Sequence, residues 1–348
     1  MTSNVSAEML QLFQEELRLC KVSPGETVAV LTAGTVRADY AQAFLLAARQ
    51  LGASAFQVNI PNQLGLLAAA SIGKTPLADC RPAINALKEA DLVIDLLGLL
   101  FSQEQLEITN SGTRMLYVAE PFHVLKQMFP TESLRRRVEN AEQRLKTARE
   151  LHVTSQAGTD VRYRLGQYPV MTEYGYTDTP GRWDHFPSGF VFTHGDDDGV
   201  DGTVVLMPGD AIAAFRRYLT SRVTLSIEKG FITKIEGDGG GMDADLIADY
   251  LKSFDDPRAY AVSHIGWGLN ERAKWFHMVE TRELNRERAM NSLAFYGNVL
   301  FSTGPNTELG GANDTACHLD LPLRNCTLTL DGELIVERGT IVPAEMRK

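Results

Sequence analysis

Through roughly the first 130 residues, short apolar runs alternate with helically spaced segments, a pattern few folds can accommodate. "SAEMLQLFQEELRLC" puts Met9, Leu12, Phe13, Leu17 and Leu19 at helical spacing, and "TVAVLTAG" is an apolar run of strand length ending in glycine. "ADYAQAFLLAARQLG" reads as an Ala/Leu-rich helix closed by Gly52, "SAFQVNIP" as a strand, "PAINALKEA" as a helix and "DLVIDLLG" as a strand. "TRMLYVAE" adds a strand and "PFHVLKQMF" a helix. Strands alternating with helices predict an open, mostly parallel sheet. "LTAGTVRADY" supplies one glycine after a strand, too little for a nucleotide-binding loop.

The helix "TESLRRRVENAEQRLKTARE", with Thr131 as its N-cap, leads out of this half. Its Arg135-Arg136-Arg137 run, among Glu139, Glu142 and Glu150, reads as a solvated face. Beyond it the periodicity changes. "ELHVTSQAGTDVRYRLG", "VTLSIEKGFITKIEG" and "TLTLDGELIVERG" predict hairpins turning at Gly158, Lys229-Gly230 and Asp331-Gly332, and "DADLIADYLKSF" a helix. The expected organisation is therefore α/β, an N-terminal open, mostly parallel sheet domain over residues 1–150, plus a C-terminal α+β domain rich in antiparallel sheet over 151–348.

Composition narrows the partners. With 348 residues, 44% of them hydrophobic, and a net charge of −10, the chain is an ordinary globular sequence poorly suited to nucleic acid. "ADLVIDLLGLLF", the most apolar stretch, is too short for a membrane span and carries Asp91 and Asp95. No signal-peptide pattern opens the chain, and Cys20, Cys80, Cys317 and Cys326 form no CxxC motif, so a reduced cytoplasm is the expected location.

Three regions carry unusual chemistry. In "CHLDLP" a strand would put His318 and Asp320 on one face, where two buried polar groups need a partner, either a metal ion or each other. With His264 of "SHIGWGLN" they would make two imidazoles and one carboxylate, a set suited to non-haem Fe(II) with open coordination positions. "YPVMTEYGYTDTPGRWDHFPSGFVFTHG" reads as a long loop dense in Glu173, Asp178, Arg182, Trp183, Asp184 and His185. Such a loop is either functional, with Glu173 and His185 exchanging protons or hydrogen bonds with a substrate, or structural, with Arg182 and Asp184 paired and Trp183 packed. "LFSTGPNTELGG" offers Ser302, Thr303 and Asn306 to a small polar ligand, or is a turn. The aspartates of "HGDDDGVDG" are consecutive where a calcium loop needs alternation, and read as a solvated turn.

These same strings, "LGQYPVMTEYGYTDTPGRWDHFPSGF", "EKGFITKIEG", "SHIGWGLN", "AFYGNVLFSTGPNTE" and "CHLDLPLRN", resemble the 2,5-dihydroxypyridine 5,6-dioxygenases over nearly the whole chain. The resemblance implies a homo-oligomer that binds Fe(II) through His264, His318 and Asp320, with Glu173, His185 and Ser302 around a small N-heterocycle. It also implies ring opening between C5 and C6 by O2, giving N-formylmaleamate. On general grounds the outer nitrogens of the ligand histidines are expected to find hydrogen-bond acceptors. One position departs from the family: "LLFSQEQ" has Phe101 where the family carries a histidine thought to handle substrate, so the ring accepted here could differ. Aminopeptidase T-type metallopeptidases share the fold and are the rival reading. Their first glutamate ligand falls at Phe190, a second at His264, and two further ligands in apolar positions of "LAFYGNVLFSTG", so that His318 and Asp320 alone match.

Overall fold

The computed structural model describes residues 5–61, 75–78, 80–277 and 289–348, which divide into two compact units. One comprises Met1–Pro130 and Tyr174–Ser188, the other Thr131–Glu173 and Gly189–Lys348. The helix Glu132–Thr147, expected in the first half, thus goes with the second unit, while residues 174–188 return to the first.

The first unit is built on a five-stranded sheet in the order Ser54–Ile60, Thr27–Ala33, Leu92–Asp95, Arg114–Val118 and Trp183–Phe186, every neighbouring pair parallel. The four strands expected from the sequence are all present. Leu92–Asp95 and Arg114–Val118 are wholly buried, as the strands of a parallel sheet covered on both faces must be, whereas the outermost, Ser54–Ile60, is mostly half-exposed. Leu31, Ile84, Leu87, Val93, Ile108 and Met115 fill one side of the core. Phe13 and Phe44 stack at 3.9 Å between the helices Ala7–Leu19 and Ala38–Gln50. Gly52, at φ +83°, ends the second of these helices as expected.

The fifth strand comes from the segment expected to be a long loop. Three short strands interrupt that segment, Met171–Glu173, Trp183–Phe186 and Phe190–His194. Trp183 packs into the core, and Asp184 is fully buried. Its carboxylate accepts the N–H groups of Tyr174, Gly175 and His185 and pairs with Arg182 at 2.6 Å. Burial pushes this carboxyl up, and the Arg182 guanidinium draws it part of the way back. For Arg182, Trp183 and Asp184 the structural alternative is the correct one.

Among the described residues the second unit holds two large antiparallel sheets and a two-stranded ribbon of Ala211–Ile212 and Arg217–Tyr218. The larger runs Phe231–Gly237, Val223–Glu228, Val200–Leu206, Asp160–Arg164, Glu150–Thr154, Thr327–Leu330, Glu333–Glu337 and Thr340–Ile341, and contains the three expected hairpins. Lys229 at φ +49° and Gly230 at φ +79° supply the left-handed pair that a two-residue hairpin turn requires. The smaller runs Leu319–Leu323, Val299–Thr303, Val262–Gly268, Phe190–His194 and Met171–Glu173. Helix Glu132–Thr147 starts at Thr131, whose hydroxyl accepts from the Leu134 N–H. The face expected to be solvated is only partly so. Arg136 is exposed and pairs with Glu132, but Arg137 is buried and pairs with Glu271. The "HGDDDGVDG" turn is solvated as expected, with Asp197 and Asp198 exposed, and protein donors brace it as well: Asp196 and Asp197 accept from Gln167, Arg164 and Tyr168.

Candidate metal centre

Three side chains expected to act together meet on the smaller sheet of the second unit. His264 lies within Val262–Gly268, His318 immediately precedes Leu319–Leu323, and Asp320 lies within that strand. Asp320 Oδ1 is 3.2 Å from His264 Nε2 and 3.1 Å from His318 Nε2, and the two nitrogens are 3.4 Å apart. A hydrogen-bonded pair needs two atoms, whereas here three Lewis-basic atoms converge. Donors about 2.1 Å from one ion lie about 3.0 Å apart at right angles and about 3.4 Å apart at tetrahedral angles. The trio therefore fits one first-row metal ion, and it is the one group of three candidate ligands among the described residues. Both histidines are buried, and the Asp320 side chain is 17% exposed.

The electrostatics suit the same role. Burial pushes the His264 imidazole below its ordinary value, against the pull of Asp320. Burial alone would raise the Asp320 carboxyl, but His318 and His264 outweigh it and hold it far below the usual carboxylate range. A neutral imidazole facing an ionised carboxylate is the protonation state that metal ligation requires.

Strand register explains how the residues reach this point. His264 stands directly opposite His194 on the neighbouring strand, and Ser302 opposite Asp320. On its other side the His264 strand shifts register between Val262 and Ile265. Such irregularities re-aim side chains. The fully buried Ser302 donates its hydroxyl hydrogen to the His264 carbonyl at 3.0 Å, within that shifted stretch. A substrate contact by Ser302 would therefore use its oxygen as acceptor.

Directly opposed residues share a sheet face. Glu173 opposite Phe190, Met171 opposite Phe192, and His194 opposite His264 thus place Glu173, Phe190, Phe192 and His194 on the His264 face. Glu173 is buried there. The Phe192 ring lies 5.0 Å from the His264 ring. The expected acceptor at the outer nitrogen of His264 is not found: Nδ1 is buried without a hydrogen-bond partner among the described residues, and ring packing holds this imidazole instead. Asn306, offered to a ligand by the sequence, braces its own segment, accepting from the Asn313 N–H and donating to Tyr168.

His185 and Phe101 belong to the first unit. His185 is buried on the outer strand Trp183–Phe186, opposite Tyr117, and the two rings lie 4.6 Å apart. Phe101 follows the strand Leu92–Asp95, where the Asp95 carboxylate accepts three consecutive N–H groups, from Leu97, Gly98 and Leu99. It adopts φ +56°, uncommon for a non-glycine residue, and its N–H donates to Gln105.

Sequence reasoning passed over a second histidine–carboxylate pair. His194 Nε2 lies 2.7 Å from Glu308 Oε1, with side chains 2% and 5% exposed. A lone histidine after "FVFT" and a lone glutamate in a Gly-flanked turn carry no spacing that links them. Strand register and a turn far along the chain bring them together.

Comparison with known proteins identifies the family and the fold. A family model described as 2,5-dihydroxypyridine 5,6-dioxygenase matches residues 8–343. The 2,5-dihydroxypyridine 5,6-dioxygenase of Pseudomonas putida (strain KT2440) is 48% identical over 345 residues, covering 98% of this chain and 97% of that one. The solved structure of 2,5-dihydroxypyridine dioxygenase from Pseudomonas putida KT2440 superposes with a TM-score of 0.95 at 47% identity, covering 99% of this chain and all of the other. Wild-type AmpT from Thermus thermophilus gives a TM-score of 0.66 at 14% identity, covering 96% and 99% of the two chains, a likeness of fold alone. A family model matched over residues 8–343 and a relative 48% identical along nearly the whole of both chains place this chain in the 2,5-dihydroxypyridine 5,6-dioxygenase family.

Proposed function

We propose that this chain is a mononuclear non-haem Fe(II) ring-cleaving dioxygenase acting on 2,5-dihydroxypyridine or a closely related hydroxylated N-heterocycle. The convergence of His264, His318 and Asp320 within the family carries this reading. When bound, Fe(II) would supply the redox-active centre through which an electron-rich ring and O2 exchange electrons, bypassing the spin barrier to their direct reaction. With 2,5-dihydroxypyridine both oxygen atoms enter the product, N-formylmaleamate, as the C5–C6 bond opens.

The protein's contribution is to hold the ring. Its two hydroxyls are not vicinal and cannot chelate as a catechol does, so side chains must fix its orientation. On the proposed face Glu173 offers a buried carboxyl to a ring N–H or O–H, and Ser302 a hydroxyl oxygen. By the family resemblance, His185 moves the substrate proton, and Phe101 stands where a substrate-handling histidine is otherwise found. That resemblance also supports a homo-oligomer. The four cysteines, free of disulfides, support a cytoplasmic location, and no helix among the described residues is long and apolar enough to cross a membrane. The peptidase alternative draws on a likeness of fold alone. By the peptidase pattern it would need a second metal, and Phe190 stands where that pattern has a carboxylate ligand.

The test is oxygen consumption after anaerobic reconstitution with Fe(II). One O2 per 2,5-dihydroxypyridine is the expected result. No uptake with one iron bound would move the substrate to another ring, and no bound iron would sink the reading. His185→Ala is expected to lower kcat by about 10²–10⁴, the usual contribution of a general acid or base, with iron content unchanged. Unaltered turnover would return His185 to a structural role. Phe101→His is expected to raise kcat/KM for 2,5-dihydroxypyridine. Identical kinetics would remove that position from substrate recognition.

A further inference from the structure

We propose that the buried His194–Glu308 pair positions the metal centre, fixing its two imidazole ligands relative to one another. This rests on the metal reading of His264, His318 and Asp320. His194 stands directly opposite His264 on the adjacent strand, with the rings 6.2 Å apart and edge to face. Glu308 lies on the connection that runs from the strand Val299–Thr303 to His318. The 2.7 Å contact between them therefore ties the strand beside one ligand to the segment that delivers the other.

Other contacts fasten the same connection. Ser263, next to His264, donates to the Pro305 carbonyl at 2.6 Å, and Asn306 donates to the Tyr168 hydroxyl at 3.2 Å. Asn313 closes the segment on the Gly304 carbonyl at 2.7 Å. The Tyr168 ring packs against His194 at 5.7 Å, so the pair is enclosed by the groups that hold the segment. A hydrogen-bonded Glu308 also fixes the His194 ring: with Nε2–H given to the carboxylate, the imidazole cannot rotate against His264 without losing its partner. A satisfied core pair with no bearing on the metal would contribute only to stability.

The experiment compares the full-length protein with Glu308→Gln, Glu308→Asp and Glu308→Leu. Anaerobic Fe(II) titration gives the affinity, and electron paramagnetic resonance of the ferrous protein treated with nitric oxide gives the symmetry of the centre. Glu308→Gln keeps an oxygen acceptor and is expected to bind iron like the parent. Glu308→Leu removes it and should weaken Fe(II) binding by about 10–100-fold, the range typical of lost outer partners, with a broadened spectrum. Glu308→Asp withdraws the carboxylate by one methylene while keeping its charge. It should change the spectrum even if the Leu variant fails to fold. Parent-like affinity and spectrum in Glu308→Asp, or in a folded Glu308→Leu, would overturn the positioning role. Failure of the parent itself to bind Fe(II) would overturn the metal reading and this inference with it.

Discussion

Asp320→Ala is expected to abolish iron binding while leaving the fold in place. Asp320 is the one anion in the proposed ligand set, and the imidazoles hold its carboxyl ionised far below the usual range. Removing an outer partner of a metal site costs about 10–100-fold in affinity, so removing the anionic ligand should cost more than about 100-fold. Iron per chain, measured after desalting, should fall from one to a small fraction. The stability readout moves in a diagnostic way. Iron at one hundred times its Kd stabilises the parent by about 2.7 kcal/mol, and that increment should vanish in the variant. The iron-free protein should lose some stability as well, because the imidazoles more than offset the cost of desolvating this carboxylate and are left without their partner. Asp320→Asn keeps the shape and one oxygen but no charge. It should recover part of the affinity if charge and donor both contribute. Full iron content in Asp320→Ala would remove this residue from the centre.

What the sequence made legible follows from how local each signal is. The parallel strands announced themselves because a strand buried on both faces is a near-continuous apolar run, as "TVAVLTAG" and "DLVIDLLG" are. The hairpins were legible because their turns demand left-handed residues, which Lys229-Gly230 and Asp331-Gly332 supply. The His318/Asp320 pair was legible because alternation along a strand needs only two residues. Non-local facts were hidden. Trp183–Phe186 is three buried polar and aromatic residues and a phenylalanine, and nothing local says that it adds a fifth strand beside Arg114–Val118. Arg137 shares a charge run with Arg136, but its burial depends on Glu271, far away in sequence. His194 and Glu308 were invisible for the same reason. A single residue acquires a role through register with a strand or a turn that the sequence leaves distant.

Gly304 shows how far this non-local constraint reaches, and Gly304→Ala is expected to damage both stability and the metal centre. The residue adopts φ +131°, a conformation that an L side chain rarely takes. A Cβ placed there would come within 2.4 Å of the Cys317 carbonyl oxygen, 3.0 Å of the His318 Cα and 3.1 Å of the His318 Nδ1. Two of these atoms are backbone and cannot swing aside as the end of a long side chain could, so the ligand segment itself must shift. Backbone strain of about 1–3 kcal/mol and overpacking of about 1–3 kcal/mol give an expected loss of about 2–6 kcal/mol. The sharpest clash is with the Cys317 carbonyl oxygen, one residue before the ligand, and the displacement passes from there to His318. The variant should therefore bind Fe(II) more weakly than its loss of stability alone explains, when affinity is measured at a temperature where it remains folded. Gly202→Ala is the control. There φ is +131° too, and the added Cβ would meet Asp160 and Val161 backbone in the larger sheet, away from the candidate ligands. If both variants lose stability but only Gly304→Ala loses iron affinity, Gly304 is needed to seat His318. Equal iron affinity in the two would reduce Gly304 to a folding requirement.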